Sequence, residues 1–349
     1  MATKEKVDIR SSIDVFADII EKNGRDTMDK AIEQVLDFKY DAGVVSSAVK
    51  RHVKFLNNVL PLVPALMNLS FEAVGGNKDT PVGIGAALTL LVEAANIHDD
   101  IIDQTPIKHH RKTTFGKFGT NVTILTGDFL LIQASFSLFK ECDMLPPEQK
   151  NAVLNLTFEA LAKISKSAAK ETKMQKRFDI SPSQYLEIVR LRSTVPAAHC
   201  MIGGILGGGN DCVIASLQDY GRNYGIVGTI IDEFMDLIDY SKFSNRLKNE
   251  VIPLPILFAL QDSKIKTEIL PLLEKFEVTK AEHGQIVRAV LNSEKVKKLQ
   301  MDISTLPIKS NLRIQKTLKE NVARGNLSTI QSVVKELLGN IGEFTSLML

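Results

Sequence analysis

The sequence predicts an all-α protein, and three observations carry the prediction. Apolar residues recur at helical spacing through long segments, alternating runs joined by Asn-Gly turns do not occur, and glycine or proline clusters fall between the periodic segments. Helices are expected over 47–60, 81–102, 121–141, 146–170, 182–203 and 210–240. The apolar run 82–97 reads as a buried helix. Gly75-Gly76-Asn77, Leu145-Pro146-Pro147 and Gly207-Gly208-Gly209-Asn210 punctuate the series, and Asp179-Ile180-Ser181-Pro182 supplies a capping serine with proline in the first turn. Beyond Asp262 the chain continues as charged, leucine-bearing amphipathic stretches, among them 267–276 and 328–338. The basic run Lys295-Val296-Lys297-Lys298 in that tail reads as a solvated helix face.

A chain of 349 residues that is 44% hydrophobic can bury one sizeable core, so a single helical domain spanning 1–349 is expected. The formal net charge of +2 points to neither nucleic acid nor an anionic membrane as partner. Cys142, Cys200 and Cys212 lack metal-type spacing, and an odd few in a chain of this size suit a reducing compartment. Glu93 interrupts the longest apolar run and Met1-Ala2-Thr3-Lys4-Glu5 opens no secretory core. A cytoplasmic protein without a transmembrane segment is the expectation.

Chemistry concentrates at the end of the first apolar run. His98-Asp99-Asp100-Ile101-Ile102-Asp103 places three carboxylates in five residues, and unpaired burial of such a group is costly. On a helix Asp99 and Asp103 share a face one turn apart, with Asp100 beside them, so the three present hard oxygen donors to a divalent cation. Mg²⁺ fits best, because it is normally held by a few carboxylates together with substrate phosphates. A solvated helix end with clustered acids is the bland alternative. A second group argues against it: Asp232-Glu233-Phe234-Met235-Asp236 follows the apolar stretch 224–231 and again spaces acids by one turn, with Glu233 the weaker candidate ligand. Two such helices facing one cavity could hold Mg²⁺ ions around a diphosphate and make it a leaving group.

With these motifs the chain resembles the trans-isoprenyl diphosphate synthases, or polyprenyl synthetases, most clearly over about 60–256. His98, Asp99, Asp100 and Asp103 match that family's first DDxxD motif. The stretch from Gly119 to Gly127-Asp128-Phe129-Leu130 is similar to its Gly-Asp-Phe-Leu segment, and Tyr185 to Arg192-Ser193 to the segment ending in its Lys-Thr pair. Tyr220-Gly221-Arg222 then leads into Asp232-Glu233-Phe234-Met235-Asp236, where the family has a second DDxxD. The resemblance implies an isoprenoid-synthase bundle around a central cavity, Mg²⁺ as cofactor, an allylic prenyl diphosphate as substrate and a homodimer. It implies metal ligation by Asp99, Asp100, Asp103, Asp232, Glu233 and Asp236. Lys108, Arg192 and Ser193 would contact the substrate, with Arg192 and the first acid group central to catalysis.

The departures from the pattern are selective. Aligned on Pro64, Leu60 and Val63 stand where the family's acceptor-binding lysine and arginine belong, Val92 where its histidine belongs, and Lys108-His109 at its Arg-Arg pair. Aliphatic side chains cannot replace the forked hydrogen bonds of a guanidinium on a diphosphate. Gly228-Thr229 replaces the Phe-Gln pair before the second motif. A family lysine after that motif falls on Val251, with Lys242 or Lys248 as possible substitutes. On the donor side the acids remain, and Lys108 and Arg192-Ser193 keep cations and a hydroxyl. Ala94 and Ala95, a turn before Asp99, read either as the floor of a deep prenyl pocket or as packing residues. His98 reads as a hydrogen-bond partner behind the ligands.

The expectation is therefore a Mg²⁺-dependent enzyme that ionises an allylic diphosphate, acting as a terpene synthase or on an unusual acceptor. Two alternatives stand beside it: a chain-elongating prenyltransferase with a rebuilt acceptor site, and a non-catalytic regulatory subunit of a synthase.

Overall fold

A computed structural model describes residues 9–37, 41–76, 81–108 and 111–322. Helices dominate it. α1 (Ile9–Leu36), α2 (Val44–Phe55), α3 (Leu62–Ala73) and α4 (Val82–Ile102) come first, followed by a short antiparallel hairpin of β1 (Ile107–Lys108) and β2 (Arg111–Lys112). Next are α5 (Thr114–Cys142), α6 (Pro147–Thr172), α7 (Pro182–Arg192), α8 (Thr194–Leu206) and α9 (Asp211–Ile238). The chain continues as α10 (Tyr240–Asn249), α11 (Leu254–Ala259), α12 (Ser263–Leu273), α13 (Lys280–Asn292) and α14 (Glu294–Asn321). The helix expected over 328–338 lies outside the described residues.

The buried helix foreseen over 82–97 is α4. Its Leu90, Leu91 and Ile97 share a core cluster with Leu130, Ala134 and Leu138 of α5. A second cluster joins α7, α9, α11, α13 and α14 around Tyr185, Phe234, Leu254 and Ile286. Full burial of each aliphatic side chain stabilises the fold by roughly 1.5–3 kcal/mol. α8 ties the halves together, packing on α9 and on α3. Two glycines permit that approach: a Cβ on Gly203 would collide with the Met67 carbonyl, and one on Gly221 would come within 2.5 Å of the Pro196 carbonyl.

Several boundaries differ from expectation for identifiable reasons. The helix expected over 182–203 breaks at Ser193, because Pro196 has no N–H to offer the turn that would continue from α7. The one expected over 210–240 stops at Ile238, where Asp239 caps α10 by accepting from Ser241 N (2.8 Å) and Lys242 N (3.0 Å). α5 begins seven residues before the expected 121, capped by Thr113, whose hydroxyl accepts from Gly116 N at 3.0 Å. Gly119, at φ 75°, kinks it just before the periodic segment starts. Ala94 is buried in the α4–α5 core and serves as packing, whereas Ala95 is half-buried on the Asp99 face.

α5 bears on the expected lack of a transmembrane segment. By length and composition Thr114–Cys142 is the one described helix long and apolar enough to cross a membrane. One side of it nevertheless belongs to the core through Leu130, Ala134, Leu138 and Cys142.

His199 of α8 sits in this interior, 4% exposed, with Nδ1 donating to the Val195 carbonyl at 2.9 Å and Nε2 without a partner. Burial pushes its pKa down from the usual 6.5 to about 4. The unfolded chain therefore binds this proton between pH 6.5 and 4 while the folded chain does not, so stability falls as the pH drops through that window. Denaturant unfolding at pH 7 and 4.5 checks this: His199→Leu should lose about 2–3 kcal/mol less than the wild type over the interval.

Candidate active site

The C-terminal turn of α4 sorts its three aspartates by face. Asp99 and Asp103, one turn apart, are half-buried, and Asp103 forms the helix C-cap. Asp100, 4% exposed, pairs with Lys108 of β1, whose Nζ lies 2.6 Å from Oδ1. The Asp100 carbonyl also accepts from Thr105 N at 2.9 Å, which folds the turn leading into the hairpin. Lys108, expected to meet diphosphate, thus stands against the first acid group. Burial pulls its ammonium down, but Asp100, with Asp99 and Asp103, more than offsets this and holds it above its ordinary range. His109 and His110 lie outside the described residues.

α10 is fastened to the same turn, since Asn245 Nδ2 donates to the Asp103 carbonyl (3.2 Å) and to Glu250 Oε1 (2.7 Å). Carboxylates consequently crowd Asp103. Burial, then Asp99, Glu250 and Glu171, push it up to about 9, and burial above all pushes Glu250 up to about 7. Arg192, at the end of α7, is paired with the buried Glu171 of α6. Burial opposes the Arg192 charge, while Glu171, Tyr185, Asp99 and Glu233 outweigh that and keep it firmly protonated.

The second acid group is built differently. Glu233 is 3% exposed and saturated: Tyr185 Oη donates to Oε1 at 2.7 Å, the Leu254 N–H to Oε2 at 2.8 Å, and Arg246 Nη1 lies 2.9 Å from Oε1. Its expected role as a metal ligand is therefore corrected to that of a buried acceptor. Asp236 lies between two cations, with Arg246 Nη1 3.1 Å from Oδ2 and Lys242 Nζ 3.0 Å from Oδ1. Asp232 is exposed, and no cation stands within ion-pair distance of it among the described residues. Although the side chain reaches solvent, desolvation by the helices packed around its carboxylate, and then Asp236, push its pKa up to about 6.

Other expected residues occupy different places. Ser193 is 1% exposed and its hydroxyl donates to the Arg190 carbonyl at 2.8 Å, so it closes the α7–α8 junction instead of facing substrate. His98 Nε2 lies 3.2 Å from Asp128 Oδ1 of α5. Lys248 pairs with Glu277 at 2.7 Å, leaving Lys242 as the lysine at the acids. Val251 is fully buried and its carbonyl accepts from Arg246 Nε at 3.0 Å. At the acceptor positions Leu60 is exposed and Val63 and Val92 half-buried. Nearby Arg25 is engaged with Glu21 and with the Leu56 and Val59 carbonyls. Sequence reasoning missed Glu171, Arg246 and Glu250, none of which sits in a spaced motif, and gave Tyr185 no role although it opens the segment that ends in Arg192-Ser193. It also missed His52, whose Nε2 is 2.9 Å from Glu93 Oε2 beside Asp100.

Among the described residues no three acid, histidine or cysteine side chains converge closely enough to hold a metal ion by themselves. The first acid group nonetheless fits Mg²⁺, which needs only one or two carboxylates once substrate phosphates complete its shell. Asp99 and Asp103, half-buried and one helical turn apart, offer such a pair.

Residues 62–291 match the family model described as polyprenyl synthetase, and the chain belongs to that family, the trans-isoprenyl diphosphate synthases. It is 31% identical over 176 residues to the short chain isoprenyl diphosphate synthase of Methanothermobacter thermautotrophicus, covering 50% of this chain and 53% of that protein. It is 25% identical over 241 residues to the geranylgeranyl diphosphate synthase of Sulfolobus acidocaldarius, covering 69% and 70%. In structure it is similar to the geranylgeranyl pyrophosphate synthetase of Pyrococcus horikoshii, with a TM-score of 0.76, 22% identity, and coverage of 94% of this chain and 99% of that one. The polyprenyl synthetase of Streptomyces coelicolor gives 0.77 at 16% identity, covering 93% and 98%.

The buried network predicts a contrast in stability. Arg246→Met leaves Glu233 and Asp236 without their buried cation and should cost about 3–5 kcal/mol in denaturant unfolding, whereas the exposed Lys248→Met should change nothing measurable.

Proposed function

We propose that this chain is a chain-elongating prenyltransferase that ionises an allylic prenyl diphosphate with Mg²⁺ and joins the resulting carbocation to isopentenyl diphosphate. The relatives named above are diphosphate synthases, which favours elongation over the terpene-synthase reading that the missing acceptor cations suggested. The observation that carries the proposal is the Asp99–Asp103 face beside two cations, Lys108 and Arg192. Bound Mg²⁺ would supply the charge that lets diphosphate depart. Lys108 and Arg192, each anchored by a carboxylate, would orient the diphosphate, and the half-buried Ala95 and Val92 on the Asp99 side would keep water from the cation. No protein base is needed for ionisation, and the released diphosphate can take the final proton.

One observation favours a second reading, an acceptor other than isopentenyl diphosphate: Leu60, Val63 and Val92 present no charge where the family binds that molecule. Labelled isopentenyl diphosphate offered with geranyl, farnesyl and geranylgeranyl diphosphates separates the two. Longer labelled prenyl diphosphates, absent in Asp99→Ala and Asp103→Ala variants that remain folded, are the expected result. Consumption of the primer without label incorporation would replace elongation by the second reading.

We also propose a homodimer through α5 and α6. Leu125, Ile132, Phe136 and Phe139 follow one face of α5 at helical spacing and are exposed, with Ile132 at 65% and Phe136 at 68%. Phe158 of α6 adjoins them, 6.1 Å from Phe139 between ring centroids. A contiguous apolar face of this kind suits a self-complementary contact between two copies. Sedimentation velocity should show a dimer that Phe136→Asp converts to monomer; an unchanged sedimentation coefficient in that variant would remove α5 from the interface.

A further inference from the structure

Glycine inside a helix weakens it relative to alanine, so a helical glycine calls for a reason. α9 holds three. Gly221 has its reason in the Pro196 carbonyl, 2.5 Å from where a Cβ would stand, and Gly225 in Pro196 Cγ at 2.6 Å and Ser193 Cα at 2.9 Å. Gly228 has none of this kind. Its backbone is helical, and among the described residues nothing comes within 4 Å of an added Cβ, although the residue is half-buried. The helix leaves room there that neither packing nor backbone conformation requires.

The room has a definite place. Gly225, Gly228 and Asp232 follow one another at helical spacing and so share a face of α9. Gly225 seats that face on Ser193, the neighbour of Arg192, and Asp232 opens the second acid group. The space therefore adjoins the end of the site where Arg192 would orient diphosphate. At this position the family pattern has the phenylalanine of its Phe-Gln pair, so about one ring's volume is given up.

A site that ionises an allylic diphosphate must keep water from the cation, so a space at the reacting end has to be filled by the substrate's own hydrocarbon. The part of the substrate next to diphosphate is its first isoprene unit, and the branch at C3 is what leaves the line of the chain. We infer that Gly228 is a specificity-determining residue that opens the site to allylic diphosphates with a C3 branch larger than methyl. This rests on the ionisation reading proposed above.

Mg²⁺-dependent diphosphate release by the full chain tests this, with geranyl diphosphate compared against homologues whose C3 methyl is replaced by ethyl or propyl. In the wild type, kcat/KM for the propyl homologue should lie within about tenfold of that for geranyl diphosphate. Gly228→Phe should shift the ratio against the homologue by about tenfold or more, the least expected for a misplaced methylene in an apolar pocket, and Gly228→Leu should shift it the same way. A larger wild-type preference for geranyl diphosphate, or a ratio unchanged within about twofold in both variants, overturns the inference and leaves the ionisation reading standing. No release by the wild type from any of these substrates overturns the ionisation reading; calorimetric binding of the nonreactive phosphonate analogues then gives the same ratio and still decides the inference. Folding adds a readout free of turnover. Gly228→Ala should raise the melting temperature by about 1 °C or more, as should Gly284→Ala in α13, where an added Cβ meets only Arg288 Nη1 at 3.5 Å. A fall with Gly228→Ala would make Gly228 a packing glycine and overturn the inference.

Discussion

Crowded carboxylate charge is the constraint on which the site depends. The ends of α4, α6, α9 and α10 bring Asp99, Asp100, Asp103, Glu171, Asp232, Glu233, Asp236 and Glu250 together, and the cations among them are Lys108, Arg192, Lys242 and Arg246. Hydrophobic burial around α4 and α9 holds those ends in place at the expense of electrostatic repulsion. The chain relieves part of it by pairing, most completely at Glu233 and Asp236. The remainder falls on Asp103, Glu250 and Asp232, whose protons are bound more tightly than usual. Such a surface is poised for added positive charge, and the Asp99–Asp103 face is where it is least compensated.

This distribution separates two tasks that look alike in sequence. Both acid groups place carboxylates one helical turn apart behind an apolar run, yet one is open and the other is closed around an arginine. The open group lies beside Lys108 and Arg192, each steadied by its own carboxylate, Asp100 and Glu171, so the two cations are oriented before any diphosphate arrives. Preorganisation of that kind lowers the reorganisation needed as charge develops on the leaving group. On the acceptor side Leu60, Val63 and Val92 provide no comparable charge. Binding of isopentenyl diphosphate would draw on cations supplied from elsewhere on the chain.

The helical fold and the two acid groups were legible because each rests on a local pattern: apolar periodicity for α4 and α9, turn spacing for the acids, and a serine–proline start for α7. What was not legible depends on contacts between distant segments. Glu171 and Arg246 are lone charges in ordinary helical sequence, and only the packing of α6 against α7 and of α10 against α9 gives them partners. Ser193 reads as a hydroxyl beside a cation until Pro196 breaks the helix and turns that hydroxyl to a backbone carbonyl. Glu233 has the spacing of a ligand, but its position on α9 faces Tyr185 and Leu254 instead of the open side. The exposed apolar side of α5 was also missed, since the helix is apolar on more than one face and only its packing against α4 decides which face is buried.

The most direct measurement of the central claim is the release of diphosphate from an allylic prenyl diphosphate by the purified chain alone, followed with and without Mg²⁺. The account predicts release with at least one chain length that requires the metal and stops when it is chelated. Silence with geranyl, farnesyl and geranylgeranyl diphosphates at saturating Mg²⁺, relieved only when an active synthase is added, would contradict it and make the chain a regulatory partner.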